Sequence, residues 1–331
     1  MRSDLIDTFG RVHDNLRISV TDRCNIRCFY CMPEDGVKFM RHEEILSYEE
    51  IERFARVAAS LGVTKLRITG GEPLVRRNLS TLIAKLVAIP GIDDIALTTN
   101  GVLLGGMAQE LYDAGLRRLN VHLDTLDRAR FERITRRDDL DKVLSGLEIA
   151  RKVGFGPIKI NAVAVKNLVE PDIVPLARFG REFGHEIRYI EFMPLDAQNL
   201  WDRRKVLLAD DMIAMLSSEI APLYEIPDAD PRAPATEYGF ADGVGRVGFI
   251  ASVSRPFCLN CNRLRLTSDG HLRYCLFAIE ETDVKTLLRD GSPDEAIADA
   301  IRGNVRKKWL GHEINSSQFV PPPRPMYAIG G

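Results

Sequence analysis

Thr21-Asp22-Arg23-Cys24-Asn25-Ile26-Arg27-Cys28-Phe29-Tyr30-Cys31-Met32-Pro33 holds three of the chain's six cysteines. The Cys-x-x-x-Cys-x-x-Cys spacing lets three thiolates on one short loop converge on a face of an iron-sulfur cube. Three protein ligands leave the cube's fourth iron open to a small molecule, which is what separates a reactive metal site from a closed structural one. Two plainer readings stand beside this one: a zinc loop, which ordinarily uses Cys-x-x-Cys pairs and a fourth protein ligand, and unrelated buried thiols.

The loop follows an apolar strand, Leu16 to Val20, and five more such strands come after it: Leu66 to Thr69, Ile95 to Thr98, Leu119 to Leu123, Ile158 to Ala164 and Ile187 to Phe192. Amphipathic stretches separate them, the pattern of a parallel α/β sheet. After the cysteine loop, Ile51, Phe54, Ala55, Ala58 and Leu61 share one helical face, while Glu49, Glu50, Arg53 and Arg56 lie off it. Gly62, Gly91, Gly115, Gly154 and Gly184 each precede a strand by a few residues, as left-handed helix caps would. Six strand-helix units rather than eight predict an open, partial β/α barrel with its active site at the carboxyl ends of the strands. The cysteine loop lies at that end, and so does Thr69-Gly70-Gly71-Glu72-Pro73. Paired glycines let a ligand approach the backbone, and the adjacent carboxylate can hold an ammonium group; alone, the segment would also read as a turn.

With 331 residues and 45% hydrophobic content, the chain can bury a sizeable core and suggests two domains. A net charge of -2 argues against binding nucleic acid through overall charge, so an anionic partner must be met by arginines gathered locally. Neither a signal-peptide-like apolar run nor a membrane span is apparent, so the expected location is the cytoplasm, with no membrane partner. In that reducing compartment cysteines favour metal over disulfide.

A change of composition near Asp196 to Arg203 places the expected domain boundary, giving residues 1–200 to the barrel and 201–331 to a smaller C-terminal domain. Asp228 to Gly248 reads as loops and short strands. Cys258 and Cys261 then form a Cys-x-x-Cys pair, and the turn Thr267-Ser268-Asp269-Gly270 returns the chain to deliver Cys275. This is again a three-ligand site; His271 is the nearby histidine that could complete a zinc site instead. Arg17, Arg67, Lys159, Arg263 and Arg265 come from separate segments, and convergence of such groups suits a triphosphate. The pairs Arg76-Arg77, Arg136-Arg137 and Arg203-Arg204 read as surface charge, and Trp201 and Trp309 as packing residues.

The first cysteine loop with Tyr30 before its last cysteine, followed by Gly70-Gly71-Glu72-Pro73, closely resembles the radical S-adenosylmethionine superfamily. The second cysteine set with Arg263 and Arg265, together with Arg17-Ile18-Ser19-Val20, Leu97-Thr98-Thr99-Asn100-Gly101 and the terminal Gly330-Gly331, narrows the likeness to its GTP-cyclising branch, which opens molybdenum cofactor biosynthesis. The resemblance implies two 4Fe-4S clusters, held by Cys24, Cys28 and Cys31 and by Cys258, Cys261 and Cys275. It places S-adenosylmethionine against Tyr30, Gly71, Glu72, His122 and Met193, and GTP against Arg17, Arg67, Thr98, Lys159, Arg263, Leu264 and Arg265. In this branch a serine usually stands where His122 does and touches the ribose of S-adenosylmethionine; histidine can make a similar hydrogen bond but is larger.

The implied chemistry is a 5′-deoxyadenosyl radical taking hydrogen from C3′ of GTP, followed by closure onto C8 of guanine, with Arg263, Arg265, Gly330 and Gly331 as catalytic residues. The resemblance further implies an external electron donor, a product passed to cyclic pyranopterin monophosphate synthase, and an assembly compatible with a homodimer. Two other functions fit parts of the sequence: a radical enzyme acting on a peptide, and an iron-sulfur redox sensor, which would not need Gly70-Gly71-Glu72-Pro73.

Overall fold

Alternation of polar and apolar residues organises the six expected strands, which form as β1 (Asn15–Ser19), β2 (Lys65–Thr69), β3 (Asp94–Thr99), β4 (Arg118–His122), β5 (Lys159–Ala164) and β6 (Glu186–Glu191). The computed structural model describes residues 5–227 and 230–330. Successive strand residues point to opposite faces, so Leu16, Ile18, Leu66, Ile68, Leu97 and Val121 are buried in one apolar layer. Asn15, Arg17, Lys65, Arg67, Thr98, Asn120 and Lys159 occupy the other face. The strands pair in parallel and in chain order, each with the next. The helices between them, α1 (Tyr48–Ser60), α2 (Leu79–Val87), α3 (Leu104–Asp113), α4 (Arg128–Thr135), α5 (Leu140–Val153) and α6 (Ile173–Phe183), supply the residues that cover the apolar layer. The partial barrel is therefore apolar toward its helices, while its interior face carries most of the strands' polar residues together with Ala96, Val163 and Ile190.

Local signals set the helix ends. Ser47 caps α1: its side chain accepts from the Glu50 backbone N–H (3.1 Å), and its own N–H donates to the Glu50 carboxylate (2.6 Å). The α1 residues Ile51, Phe54, Ala55 and Ala58 and the adjoining Leu61 are all buried, as their spacing predicts. The five recurring glycines all take positive φ; Gly154 (117°) and Gly184 (73°) are the left-handed caps of α5 and α6.

The chain beyond residue 200 contributes α7 (Ala209–Glu219), β7 (Leu223–Glu225), β8 (Thr236–Phe240), β9 (Arg246–Ile250), β10 (Arg263–Leu266), β11 (His271–Arg273) and β12 (Thr282–Asp283), then α8 (Lys285–Arg289), α9 (Asp294–Arg306) and α10 (Met326–Ile329). Among the described residues the strands form one sheet, ordered β12-β11-β10-β1-β2-β3-β4-β5-β6-β9-β8-β7. β10 lies parallel to β1 and β9 parallel to β6, so both edges of the six-strand unit are covered by C-terminal chain. The expected hairpin is present: β10 and β11 pair antiparallel around Gly270 (φ 78°).

The reading of Arg76 and Arg136 as surface charge is overturned. Arg76 donates to the carbonyls of Val20 (2.6 Å) and Leu46 (2.7 Å) and stacks on Tyr48, while Arg136 reaches the Met32 carbonyl (3.3 Å). Both reach backbone oxygens of the cysteine-loop region, Arg76 at Val20 just before the loop and Arg136 at Met32 near its end, contacts that sequence spacing does not encode. Among the described residues no helix is long and apolar enough to cross a membrane.

His185, 6% exposed at the entry to β6, packs beside Phe179. Burial, with repulsion from Arg151 added, lowers its pKa to about 4. Between pH 6.5 and 4 the unfolded chain binds a proton that the folded chain refuses. The stabilisation is thus complete above 6.5 and lost as pH falls toward 4. His185→Gln does not titrate, so urea unfolding should show the parent losing about 3 kcal/mol relative to the variant between pH 7 and pH 4. A parent-variant difference that stays constant over this range would show that His185 is solvated.

Candidate active site

The chain leaving β1 forms the first cysteine loop, and the chain leaving β2 locks onto it. Gly71 N donates to Thr21 O and Glu72 N to Arg23 O, both at 2.7 Å. A Cβ on Gly71 would lie 2.5 Å from the Arg23 carbonyl oxygen and 2.7 Å from that of Asp22. Glycine is thus required here for the approach of the cysteine loop itself, where the sequence suggested a ligand. On the far side the loop is held by Arg27 N to Thr135 O (2.8 Å) and Phe29 N to Ile134 O (3.1 Å), at the end of α4.

Cys24, Cys28 and Cys31 carry no disulfide and line one cavity together with Tyr30, Gly71, Glu72, Thr98, His122 and Met193. The structure thereby brings together the residues expected around S-adenosylmethionine. Burial, then the neighbouring Glu72 carboxylate and Cys28, pushes the Cys24 thiol up to about 12. Burial and the other two thiols raise Cys31 well above the usual thiol range. Crowded, buried sulfurs of this kind favour a cationic group that would draw off their protons, and the donor set fits one face of an iron-sulfur cluster. Among the described residues no three His, Cys, Asp or Glu side chains are gathered round the single point that one metal ion would occupy.

Glu72 is 1% exposed and accepts hydrogen bonds from Leu74 N (2.9 Å), Thr99 Oγ1 (2.7 Å) and Asn100 N (2.6 Å). Burial outweighs these bonds and raises its pKa to about 7. Asn100 continues the network, its side-chain amide 2.8 Å from Asn25 Oδ1 and 3.7 Å from the Cys24 sulfur.

His122 faces the cavity, yet its Nε2 lies 2.6 Å from the Tyr30 hydroxyl and 3.2 Å from Asp124 Oδ2. Tyr30 also donates to Asp124 (2.5 Å). Burial opposes charge on His122, but Asp124, followed by Cys28, outweighs it and raises the ring's pKa well above the usual imidazole value. Nε2 is therefore committed within the protein, and the ring also lies within hydrogen-bonding reach of Cys28. Asp124 was not among the expected site residues, although Asn120-Val121-His122-Leu123-Asp124 alternates so that His122 and Asp124 share a face.

Three of the expected basic residues form one row. Arg265, Arg17 and Arg67 are direct register partners across β10, β1 and β2. Burial lowers the pKa of each, Arg265 to about 9 and Arg67 to about 10; repulsion from Arg263 adds to both, and Arg17 falls well below its usual value through burial and its three arginine neighbours. The Nε atoms of Arg17 and Arg67 are buried without a partner. Lys159 faces the same interior within 3.5 Å of Glu186 and 3.8 Å of Glu237. Leu264 points the other way, into the apolar layer at 1% exposure, so only its backbone is available to a ligand.

At the second cysteine set, the Arg263 guanidinium stacks on Phe257 and donates to the Cys261 sulfur through Nε and Nη2, both at 3.4 Å. Burial raises the Cys261 thiol, but Arg263 and Lys308 outweigh it and bring the pKa down to about 5. Cys258 stays above its usual value through burial, then through Cys275 and Cys261. The three thiols are free and stand within each other's field, and the set fits a cluster as the first does. His271, the candidate fourth zinc ligand, is turned to Asp269 (Nδ1 to Oδ2, 3.1 Å). The histidine beside these thiols is His312, whose backbone N–H bonds Cys258.

The tail reaches the interior. Met326 and Tyr327 line the first cavity, and Gly330 accepts from Arg265 Nη1 (3.0 Å). Gly331 lies outside the described residues.

Comparison with known proteins agrees with this geometry. Residues 18–180 match the model of the Radical SAM superfamily, and residues 185–314 match Molybdenum Cofactor Synthesis C. A GTP 3′,8-cyclase of Rhodopirellula baltica is 48% identical over 330 residues, covering 99% of this chain and 92% of the relative. GTP 3′,8-cyclase 2 of Mycobacterium tuberculosis is 48% identical over 335 residues, with the same coverage. Among solved structures, Streptococcus suis SuiB bound to S-adenosylmethionine superposes with a TM-score of 0.61 at 16% identity, over 88% of this chain and 68% of that one. Methylornithine synthase (PylB) gives 0.51 at 17% identity over 64% of each. The chain belongs to the GTP 3′,8-cyclase family of the Radical SAM superfamily.

Proposed function

We propose that this chain converts GTP to 3′,8-cyclo-7,8-dihydroguanosine 5′-triphosphate, the first step of molybdenum cofactor biosynthesis, in the cytoplasm and with electrons from an external donor. The observation that carries the reading is the Arg265, Arg17 and Arg67 row, three like charges in register on one polar barrel face, with Arg265 buried and the other two half-buried. Such a row is costly until a polyanion meets it, and a triphosphate offers each guanidinium a charge-assisted bond. Residues 1–200 would hold the first cluster and S-adenosylmethionine, and residues 201–331 the second cluster.

When bound and reduced, the first cluster and S-adenosylmethionine supply the one-electron chemistry that removes hydrogen from C3′ of GTP. Tyr30, held by His122 and Asp124, forms a fixed wall of the cavity. The Glu72 carboxylate, once ionised, favours an ammonium group nearby. Lys159 and Thr98 extend the polar surface available to the nucleotide on β5 and β3. Gly330 sits where β1 and β2 approach their carboxyl ends, and with Gly331 it would help exclude water and orient the ribose.

Three outcomes test this. Anaerobically reconstituted protein should carry two 4Fe-4S clusters and convert GTP when given reductant and S-adenosylmethionine. Replacing Cys24, Cys28 and Cys31 with alanine should leave one cluster and abolish S-adenosylmethionine cleavage. Zinc without iron in the reconstituted parent would overturn the reading.

Arg17→Met removes a charge whose Nε has no partner in the protein. Calorimetric GTP affinity should therefore fall by about 1.5–3 kcal/mol, while thermal stability holds or rises as like-charge repulsion is relieved. Unchanged GTP affinity would exclude Arg17 from the site.

Gly330 has φ +87°, and a Cβ there would lie 2.6 Å from Ser19 Cβ and 2.9 Å from Thr69 Oγ1. Gly330→Ala should displace the tail, leaving iron content and fold intact while S-adenosylmethionine cleavage runs uncoupled from nucleotide cyclisation. Full cyclisation by that variant would make the tail a passive end.

A further inference from the structure

Lys308, just beyond α9, is 5% exposed and lies against the second cysteine set. Its ammonium nitrogen is 2.8 Å from the Arg263 carbonyl, 2.8 Å from the Tyr274 carbonyl and 3.5 Å from the Cys261 sulfur. An ammonium has three N–H donors and no acceptor, and here three acceptors meet it. A neutral amine would turn its lone pair on one of them, so the geometry is that of a charged lysine. Two of the acceptors belong to the separate segments that carry the thiols: Arg263 follows Cys261 by two residues, and Tyr274 immediately precedes Cys275. Lys308 thus ties both segments together and places a positive charge beside one sulfur.

The turn after α9 is itself fixed to the other side of the set. Arg11 donates to the carbonyls of Trp309 (2.6 Å), Leu310 (2.8 Å) and Cys258 (2.7 Å), and is anchored by Asp7 at 2.6 Å. The turn that follows Lys308 is thus tied through Arg11 both to the Asp7 segment and to the thiol set, which fixes where the lysine's charge stands.

We infer that Lys308 is a positioning residue of the second site that also sets the reduction potential of the cluster bound there. The inference rests on the reading of that site as a second cluster. Hydrogen bonds and positive charge at a ligand sulfur stabilise the reduced, more negative cluster and raise its potential. Such a charge would make this cluster easier to reduce than the same site lacking it.

The test is a redox titration of the anaerobically reconstituted full-length holoenzyme followed by electron paramagnetic resonance, with iron counted per chain. The wave of the second cluster is identified as the one lost in Cys275→Ala. Lys308→Met keeps the length of the side chain and removes its charge and donors; that wave should move to lower potential while the first cluster's wave stays where it is. Lys308→Arg restores the charge and should return most of the shift. Loss of about four irons in Lys308→Met but not in Lys308→Arg would also support the inference, since charge would then be needed to assemble the site. Two waves in the parent with Lys308→Met unmoved would overturn the inference alone, as would loss of the cluster in both variants. A single cluster in the parent would overturn the two-cluster reading, and the inference with it.

Discussion

The site depends on a backbone contact too close for any side chain. Gly71 lets the chain leaving β2 lie against the carbonyls of Asp22 and Arg23, where a Cβ would meet oxygen atoms at 2.5–2.7 Å that belong to the backbone and cannot rotate away. From this seam the rest of the mouth is fixed in sequence. Glu72 is aimed at the ends of β3 and its own following turn, binding Leu74, Thr99 and Asn100. Asn100 then returns to Asn25 and Cys24. The three thiols are consequently oriented by the ends of three strands, and burial raises Cys24 and Cys31, outweighing the Arg27 charge that favours a thiolate at Cys24.

An interior lined with arginines is the second consequence of the fold. In a filled eight-strand barrel, layers of branched apolar side chains occupy the centre. Here the apolar side of every strand faces the helices, and the inward side of β1, β2 and β10 carries Arg17, Arg67 and Arg265 in one register row. Like charges in register destabilise a sheet, and the unpartnered Nε atoms of Arg17 and Arg67 add a desolvation cost. The apolar layer offsets both. Strand geometry thus places the three arginines in one row before any anion arrives.

Sequence pattern revealed those parts whose physics is local. Apolar runs alternating with amphipathic stretches located all six barrel strands to within a residue at each end, and helical spacing gave the buried face of α1. Recurrent glycines marked left-handed turns at Gly154 and Gly184. The two cysteine sets and the arginines were legible because spacing and charge announce them. The contacts of Lys308, Arg76 and Arg136 were not. Lys308 ends the run Arg306-Lys307-Lys308, which reads as ordinary charge at a helix terminus, and only the return of the chain onto β10 buries it. The parallel pairing of β9 with β6 and of β10 with β1 was equally hidden, since it joins segments whose closeness no local periodicity records. His271 was misleading for a related reason: nearness in sequence to Cys275 did not prevent the hairpin from turning it to Asp269.

The two covered edges explain how the tail reaches the interior. Arg324 is gripped by Asp269 of the β10–β11 turn (2.9 Å) and by Glu281 (2.8 Å), so the stiff Pro321-Pro322-Pro323 segment is held at one edge of the sheet. Two residues later Met326 N donates to Leu195 O (3.0 Å), in the chain that leaves β6 toward the opposite edge. The tail therefore spans the mouth of the partial barrel, and Gly330 is delivered between Ser19 and Thr69 with its carbonyl on Arg265. A closed barrel would leave no such path. The open architecture, the C-terminal strands at both edges and the absence of a side chain at Gly330 are thus parts of one arrangement that brings the chain end to the buried Arg265 of the arginine row.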